Sequence, residues 1–266
     1  MYETDDYQTY KGLRILAVDG SKIQLPTNAE TIEEFGTFAY QNQRPQVSGL
    51  HSYALASVLY DVMNRVALDA KLAPCHAYEV ELAAQHLKHT KAGDLVIYDR
   101  GYCSFRMLAL ASQAQGDFLV RCHDKSFRLV NEMLRGEGPD DVVCEITANQ
   151  KFLRNANNAA LPTTLTVRFV RVVLDTGEYE VLVTSLLDQQ TYPPADFKEL
   201  YYLRWGIETF YGILKTRLGL ENFSGYSPEA IRQDFFATIF LTGAETILTE
   251  DAEETLAKQR GGYPKK

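Results

Sequence analysis

The stretch YYLRWGIETFYGILK, residues 201–215, places one acid among groups that bind anions. At about 100° per residue, Tyr201, Arg204, Glu208 and Lys215 fall within an arc of roughly 60° on one helix. The back of that helix is apolar, with Leu203, Ile207, Phe210 and Leu214, so the stripe is not its buried side. Two readings stay open on this evidence of spacing alone. The stripe is a solvated face in which Arg204 and Glu208 form an ordinary i,i+4 ion pair, or it is a wall that holds a phosphate beside a carboxylate.

Two further acids bear on the choice. Asp19 closes the apolar run LRILAV and is followed by Gly-Ser; Asp99 closes LVIY and opens the segment DRGY. Each alone reads as a turn former, a role that suits Asp. With Glu208 they make three carboxylates where a mixed sheet exposes side chains. Carboxylate oxygens suit Mg²⁺ or Mn²⁺. Two such ions about 4 Å apart activate an attacking oxygen and stabilise a leaving one, which is the requirement of phosphoryl transfer on nucleic acid. Arg204 and Lys215 would then hold neighbouring phosphates, and Tyr201 would donate a hydrogen bond to the phosphate backbone.

The pattern Tyr201-x2-Arg204-x3-Glu208-x6-Lys215 resembles the signature of DDE transposases of the insertion sequence 4 family. VDGS at Asp19 and IYDRGYCSF at Asp99 are similar to that family's first and second acid motifs, in the same order. The resemblance runs from about residue 10 to 250. It implies a ribonuclease-H-like mixed sheet flanked by helices, with a strand-rich insertion before the last catalytic helix. It implies that Asp19, Asp99 and Glu208 bind two Mg²⁺ or Mn²⁺ ions, with hydrolysis at a transposon end followed by strand transfer to target DNA. Tyr201, Arg204, Lys215 and, beside Asp99, Arg100 would contact DNA. The partners implied are transposon-end and target DNA, with a homodimer in the DNA complex, in the bacterial cytoplasm at the nucleoid. Family members are longer, with an end-recognition region before the first acid. Only 18 residues precede Asp19 here, so a shortened N-terminus is expected. A non-catalytic chain that pairs with full-length transposase and inhibits it is the alternative. A stand-alone nuclease on the same fold is a third reading, opposed by the signature around Glu208.

The elements that must position these residues follow from pattern. Residues 13–18 read as a buried strand ending in a turn at Asp19, with SKIQLP as a returning strand and a polar loop after it. SYALASVLYDV and RVALDAKLA read as strands joined at Met63 and Asn64. YEVELAAQHLKH and SFRMLALASQA read as helices, and LVIY and DFLVRCH as strands. TLTVRFVRVVLD, a Thr-Gly turn and EYEVLVTSLL give a hairpin. Asp196 with Glu199 suggests a capping box for the helix carrying the stripe, and Gly219 its end. Ser227 and Pro228 open a last helix. The organisation expected is residues 1–123 as the first part of the core, 124–192 as a β-rich insertion, 193–249 as the helical completion, and 250–266 as a charged tail.

Composition sets limits. With 45% hydrophobic and 23% charged residues the chain suits a globular fold, and no apolar run reaches the roughly 18 residues of a membrane span. A net charge of −8 argues against tight non-specific DNA binding by the whole surface. Local bases (Arg121, Lys125, Arg128, Arg135, Lys151, Arg154, Arg168 and Arg171) leave a basic groove open as a reading. The four cysteines have no zinc-finger spacing and read as reduced thiols. The five histidines suggest no triad and no zinc site. Trp205, Phe235, Phe236 and Phe240 read as packing residues.

Overall fold

A computed structural model gives the fold, describing residues 7–38 and 50–260, with side chains as far as residue 249. The first part comprises β1 (Arg14–Gln24), α1 (Ala29–Phe35), β2 (Thr37–Phe38), β3 (His51–Asp61), β4 (Val66–Pro74), α2 (Glu79–His86), β5 (Asp94–Tyr98), α3 (Phe105–Ser112) and β6 (Asp117–Arg121). There follow α4 (Arg128–Leu134), β7 (Asp141–Thr147), α5 (Gln150–Leu153), β8 (Thr164–Val173), β9 (Tyr179–Thr184), α6 (Asp196–Tyr202), α7 (Trp205–Thr216) and α8 (Pro228–Arg260).

Among the described residues nine strands form one sheet, ordered β2-β3-β1-β5-β6-β9-β8-β7, with β4 also on β3. β4, β3 and β1 run antiparallel, whereas β1, β5 and β6 run parallel. That five-strand unit is the ribonuclease-H-like arrangement. The strands of 124–192 make no second sheet. β9 pairs antiparallel with β6 through Leu119↔Thr184 and Arg121↔Leu182, so this block lengthens the main sheet. Helices cover both faces. Leu16, Val18, Val96 and Phe118 pack with Val80, Met107 and Leu108 of α2 and α3. On the other face Ala17, Ala56 and Val58 pack with Ile207, Phe210 and Leu214 of α7 and with Ile231 and Phe235 of α8. Beside them α6 packs through Phe197, Leu200 and Tyr201 against Ile15, Ile97, Leu119 and Leu182.

Several local expectations fail for identifiable reasons. The turn at Asp19 does not form: β1 runs unbroken through Asp19-Gly20-Ser21, because β3 pairs with it from Leu16↔Asp61 to Gln24↔Tyr53. A full ladder of cross-strand pairs outweighs local turn preference. The polar loop contains α1, capped by Asn28; its residues 39–49 lie outside the described residues. Asp196 does not cap α6. Ala195 occupies that position without a side-chain bond, and Asp196 is ion-paired with Lys11. The expected tail is helical as far as Arg260, and residues 261–266 lie outside the described residues. Phe235 is buried, but Phe236 and Phe240 are exposed on α8. Ser227 does cap α8, accepting from the Ala230 amide at 3.2 Å.

The helix carrying the stripe is two helices. Between α6 and α7 the amides of Arg204, Gly206 and Ile207 reach back three residues rather than four, to Tyr201, Leu203 and Arg204 at 3.0–3.2 Å. This tightened joint is 3₁₀-like. It presses Gly206 against the β3–β4 turn, where a Cβ on residue 206 would lie 2.4 Å from Val62 Cγ1. Gly206→Ala is therefore expected to destabilise the fold by about 1–3 kcal/mol through overpacking. Val62→Ala in the same chain should recover most of that loss in a urea-melt double-mutant cycle, and independent effects would show that the contact does not set the joint.

Candidate active site

Three neighbouring parallel strands build the floor of the site. Val18 pairs with Tyr98, and Tyr98 with Val120. The next residue on each strand is Asp19, Asp99 and Arg121. They form a row across β1, β5 and β6, at a strand spacing of about 4.8 Å. β5 stops at Tyr98 while β1 continues to Gln24, so a notch opens beside Asp19. Asp99 keeps extended backbone there and its carboxylate accepts from the Arg100 amide of the following 3₁₀ turn. The α6–α7 joint crosses the row with Tyr201, Arg204 and Glu208.

Asp19 lies on the α7 face of β1, two residues beyond the buried Ala17. Its carboxylate accepts from the Gly20 amide at 2.8 Å. Tyr211 of α7 donates to the Asp19 carbonyl at 3.1 Å and locks the helix to the strand at this residue. Burial pushes the Asp19 carboxyl from its ordinary 3.8 up to about 6; the Gly20 hydrogen bond and Arg204 oppose the rise, and the charges of Asp99 and Glu208 add to it. The three acids thus share one electrostatic neighbourhood.

Two arginines answer those charges. Arg204 is 4% exposed and donates to Glu208 Oε1 at 2.6 Å. Arg121 donates to Glu180 of β9 at 2.7 Å and reaches Asp99 at 3.5 Å. Both guanidiniums lie 5.9 Å from the centre of the Tyr201 ring. Burial works against the charge on each, yet hydrogen bonding to its acid leaves the net shift upward. Burial likewise raises the Tyr201 hydroxyl. The Nε atoms of Arg121 and Arg204 and the Tyr201 hydroxyl are buried without a hydrogen-bond partner.

The i,i+4 ion pair of Arg204 with Glu208 forms, but Tyr201 and Arg204 are buried, so the stripe is only in part a solvated face. Asp19 lies within electrostatic reach of Asp99, Glu208 and Arg204, and Arg204 lies over the Tyr201 ring. Lys215 sits apart, donating to the Lys22 carbonyl at 2.6 Å. Arg100 is exposed, and among the described residues its side chain has no ion-pair partner. Arg121 and Glu180 complete the cluster; the sequence offers Arg121 only as one of several local bases and carries no signal for Glu180. Arg121 closes β6 one residue beyond the Tyr98–Val120 pair, so strand pairing and not local sequence brings it beside Asp99. Trp205 is 51% exposed, not packed away, and the Arg204 guanidinium lies 4.9 Å over its ring. A cavity of about 580 Å³ adjoins the row, lined among others by Arg121, Glu180, Leu182, Tyr201, Tyr202 and Trp205.

Several of the bases that left a basic groove open are committed to acids. Arg168 is fully buried on Asp141, and Arg171, Arg128 and Arg135 are each paired with an acid. His86 stands in a buried relay, 3.0 Å from Ser57 Oγ and 2.8 Å from Asp69. Burial lowers its affinity for a proton, against the pull of Asp69. The relay has the residue types of a hydrolytic triad, but Ser57 and His86 are sealed from solvent at 0% and 1% exposure. The four cysteines are free thiols.

The donor set fits hard divalent cations in chemistry and in charge: carboxylate oxygens, with Asp19 held at a cost that a cation would relieve. It is not a finished cage. Among the described residues no three metal-binding side chains converge, and arginine cations occupy the sides of Glu208 and Asp99 where ions would compete.

Comparison with known proteins places this geometry. The profile of the transposase DDE domain family matches residues 10–242. The chain belongs to that family. No curated protein matches it. Among solved structures, a piggyBac transposase synaptic complex with hairpin DNA shares the fold at a TM-score of 0.52 and 10% sequence identity. The match covers 91% of this chain and 48% of that one, so the chain spans about half the length of its structural relative. No helix among the described residues is long and apolar enough to cross a membrane.

The Asp19 shift sets a sign for stability. The folded state holds a proton that the unfolded state gives up between pH 3.8 and about 6, so stability falls as pH rises through that window. Asp19→Asn removes the cost. In metal-free buffer near pH 8 it should raise stability by roughly 1–3 kcal/mol, a few degrees in Tm. Near pH 3.5, where both side chains are neutral, the two proteins should melt together. An equal gain at both pH values would mean that charge is not the cause.

Proposed function

We propose that this chain is the catalytic core of a DNA transposase of the insertion sequence 4 type. The observation that carries the reading is the row Asp19–Asp99 lying under Glu208, Arg204 and Tyr201. Those residues come from three distant segments of sequence and match the motif order of that family. In this reading Asp19, Asp99 and Glu208 hold two divalent ions, Mg²⁺ or Mn²⁺. The ions supply Lewis-acid activation of the attacking oxygen and stabilisation of the leaving one.

The chain's own residues do the rest. Arg204 and Arg121 face the developing charge on the scissile phosphate, each with an unused buried Nε–H. Tyr201, buried between them, braces both guanidiniums through its ring. Lys215 and Arg100 lie farther out, where phosphates beyond the cleaved one would pass. Gly20 and Arg100 amides fix the free carboxylates of Asp19 and Asp99 in place. The reaction is hydrolysis of a phosphodiester at a transposon end. The freed 3′-hydroxyl then attacks a second phosphodiester, with DNA ends and target as partners and a homodimer as the working assembly.

One observation favours the second reading, a non-catalytic chain that pairs with longer transposase. Three metal donors do not converge among the described residues. A single experiment separates the two. Purified chain is incubated with Mg²⁺ and duplex DNA carrying the element's ends. Cleavage is expected, and Asp99→Asn should lower its rate by about 10³-fold or more while leaving the far-ultraviolet circular dichroism unchanged. Equal cleavage by Asp99→Asn rejects the assignment of this site. No cleavage by either protein, with capture of a longer homologue, supports the pairing role instead.

A further inference from the structure

The arginines of the site hold its acids in two unlike ways. Arg121 has a firm partner in Glu180 at 2.7 Å and only a loose one in Asp99 at 3.5 Å. It can release Asp99 and keep its position. Among the described residues Arg204 has a single ion-pair partner, Glu208 at 2.6 Å, and its Nε–H is buried without an acceptor. Its guanidinium also lies over the rings of Tyr201 and Trp205, within reach of the charges of Asp19 and Asp99. A guanidinium resting on two aromatic faces is attracted without being held in one orientation, because the ring quadrupole offers no directed acceptor.

We propose that Arg204 is the resident counter-cation of the site. It occupies Glu208 in the metal-free protein, and binding of divalent cations to the carboxylates drives it off Glu208 and onto a DNA phosphate. This rests on the metal-dependent reading above and adds a coupling to it. A divalent ion at Glu208 and the guanidinium held on its Oε1 at 2.6 Å are like charges on one carboxylate and repel each other, so the two cations compete. The displaced guanidinium then carries two unpaired donor edges in a low-dielectric pocket, which a bidentate phosphate satisfies. Metal favours DNA, and by linkage DNA favours metal to the same degree. Trp205 reports the exchange. It is the only tryptophan in the chain, half-exposed, with the Arg204 guanidinium 4.9 Å over its ring.

The test uses the full chain without DNA, so that no turnover is involved. Mg²⁺ is titrated by calorimetry, and Trp205 emission is followed in parallel. Wild type is expected to change its emission in step with Mg²⁺ binding. Arg204→Gln, which removes the competing charge, is expected to bind Mg²⁺ about tenfold more tightly, a coupling of ordinary size. An architectural arginine would give the opposite result, because losing it would loosen the site and weaken binding. With a labelled duplex, wild-type affinity should rise with Mg²⁺, and that of Arg204→Gln should not. Mg²⁺ binding to wild type with unchanged Trp205 emission overturns the exchange while leaving the transposase reading intact, and this needs no variant to fold. Weaker or equal Mg²⁺ binding by a folded Arg204→Gln does the same. Absence of Mg²⁺ binding to wild type removes the metal-dependent reading and the exchange with it.

Discussion

Like charges brought together in a half-buried notch are the constraint around which this molecule is built. Asp99 and Glu208 stand close enough to Asp19 for their charges to act on it, and burial pushes the Asp19 carboxyl to about 6. Three carboxylates do not gather in a half-buried notch unless something opposes their repulsion. In the chain as it stands the opposition comes from Arg204 and Arg121, with Glu180 setting the second of them. The sheet and the joint between α6 and α7 exist in the form needed to keep those charges in register.

The fold meets that requirement by economy of position. Parallel strands carry residues of equal register side by side, so the pairing of Val18 with Tyr98 and of Tyr98 with Val120 places Asp99 and Arg121 in line with Asp19. The crossing helix must then bring Tyr201, Arg204 and Glu208 over the row. A tightened turn at Leu203–Arg204 and the absence of a side chain at Gly206 let α7 sit hard against the β3–β4 turn. Tyr211 ties that helix to β1 at Asp19 itself. Seating of the helix and placement of the acid are a single mechanical condition.

Much of this was legible in the residues. Glu208, Arg204 and Tyr201 declared themselves by helical spacing, and the two aspartates by closing apolar runs. The legible part depended on local pattern. What was not legible depended on pairing between distant segments. Asp19 looked like a turn because Asp-Gly-Ser favours one; only β3, pairing along all of β1, keeps it extended. Arg121 was one base among many until β6 and β9 brought it between Asp99 and Glu180. Trp205 looked like core because its neighbours are apolar, yet it stays half-exposed beneath an arginine. The joint after Tyr202 had no proline to announce it, and both flanking residues keep right-handed helical angles.

The arginines show most plainly why type and charge are insufficient guides to a phosphate site. Arg168 and Arg171 sit in the strand-rich block and invite a reading as DNA contacts. Arg168 is instead fully buried. It pairs with Asp141 and donates to the carbonyls of Leu186, Asp188 and Tyr192, and its guanidinium lies 5.0 Å over Phe197. That single side chain ties the end of β9 to the start of α6. Removing one partner of such a pair costs about 3–5 kcal/mol, because the other is left charged and dry. The lengthened sheet thereby acts at a distance on the site. It fixes the helix that delivers Tyr201, and through Glu180 it aims Arg121. Every arginine committed to an acid in a saturated network is unavailable to a further anion. The two that keep an unused, buried Nε–H beside the acids are the ones whose chemistry is still open.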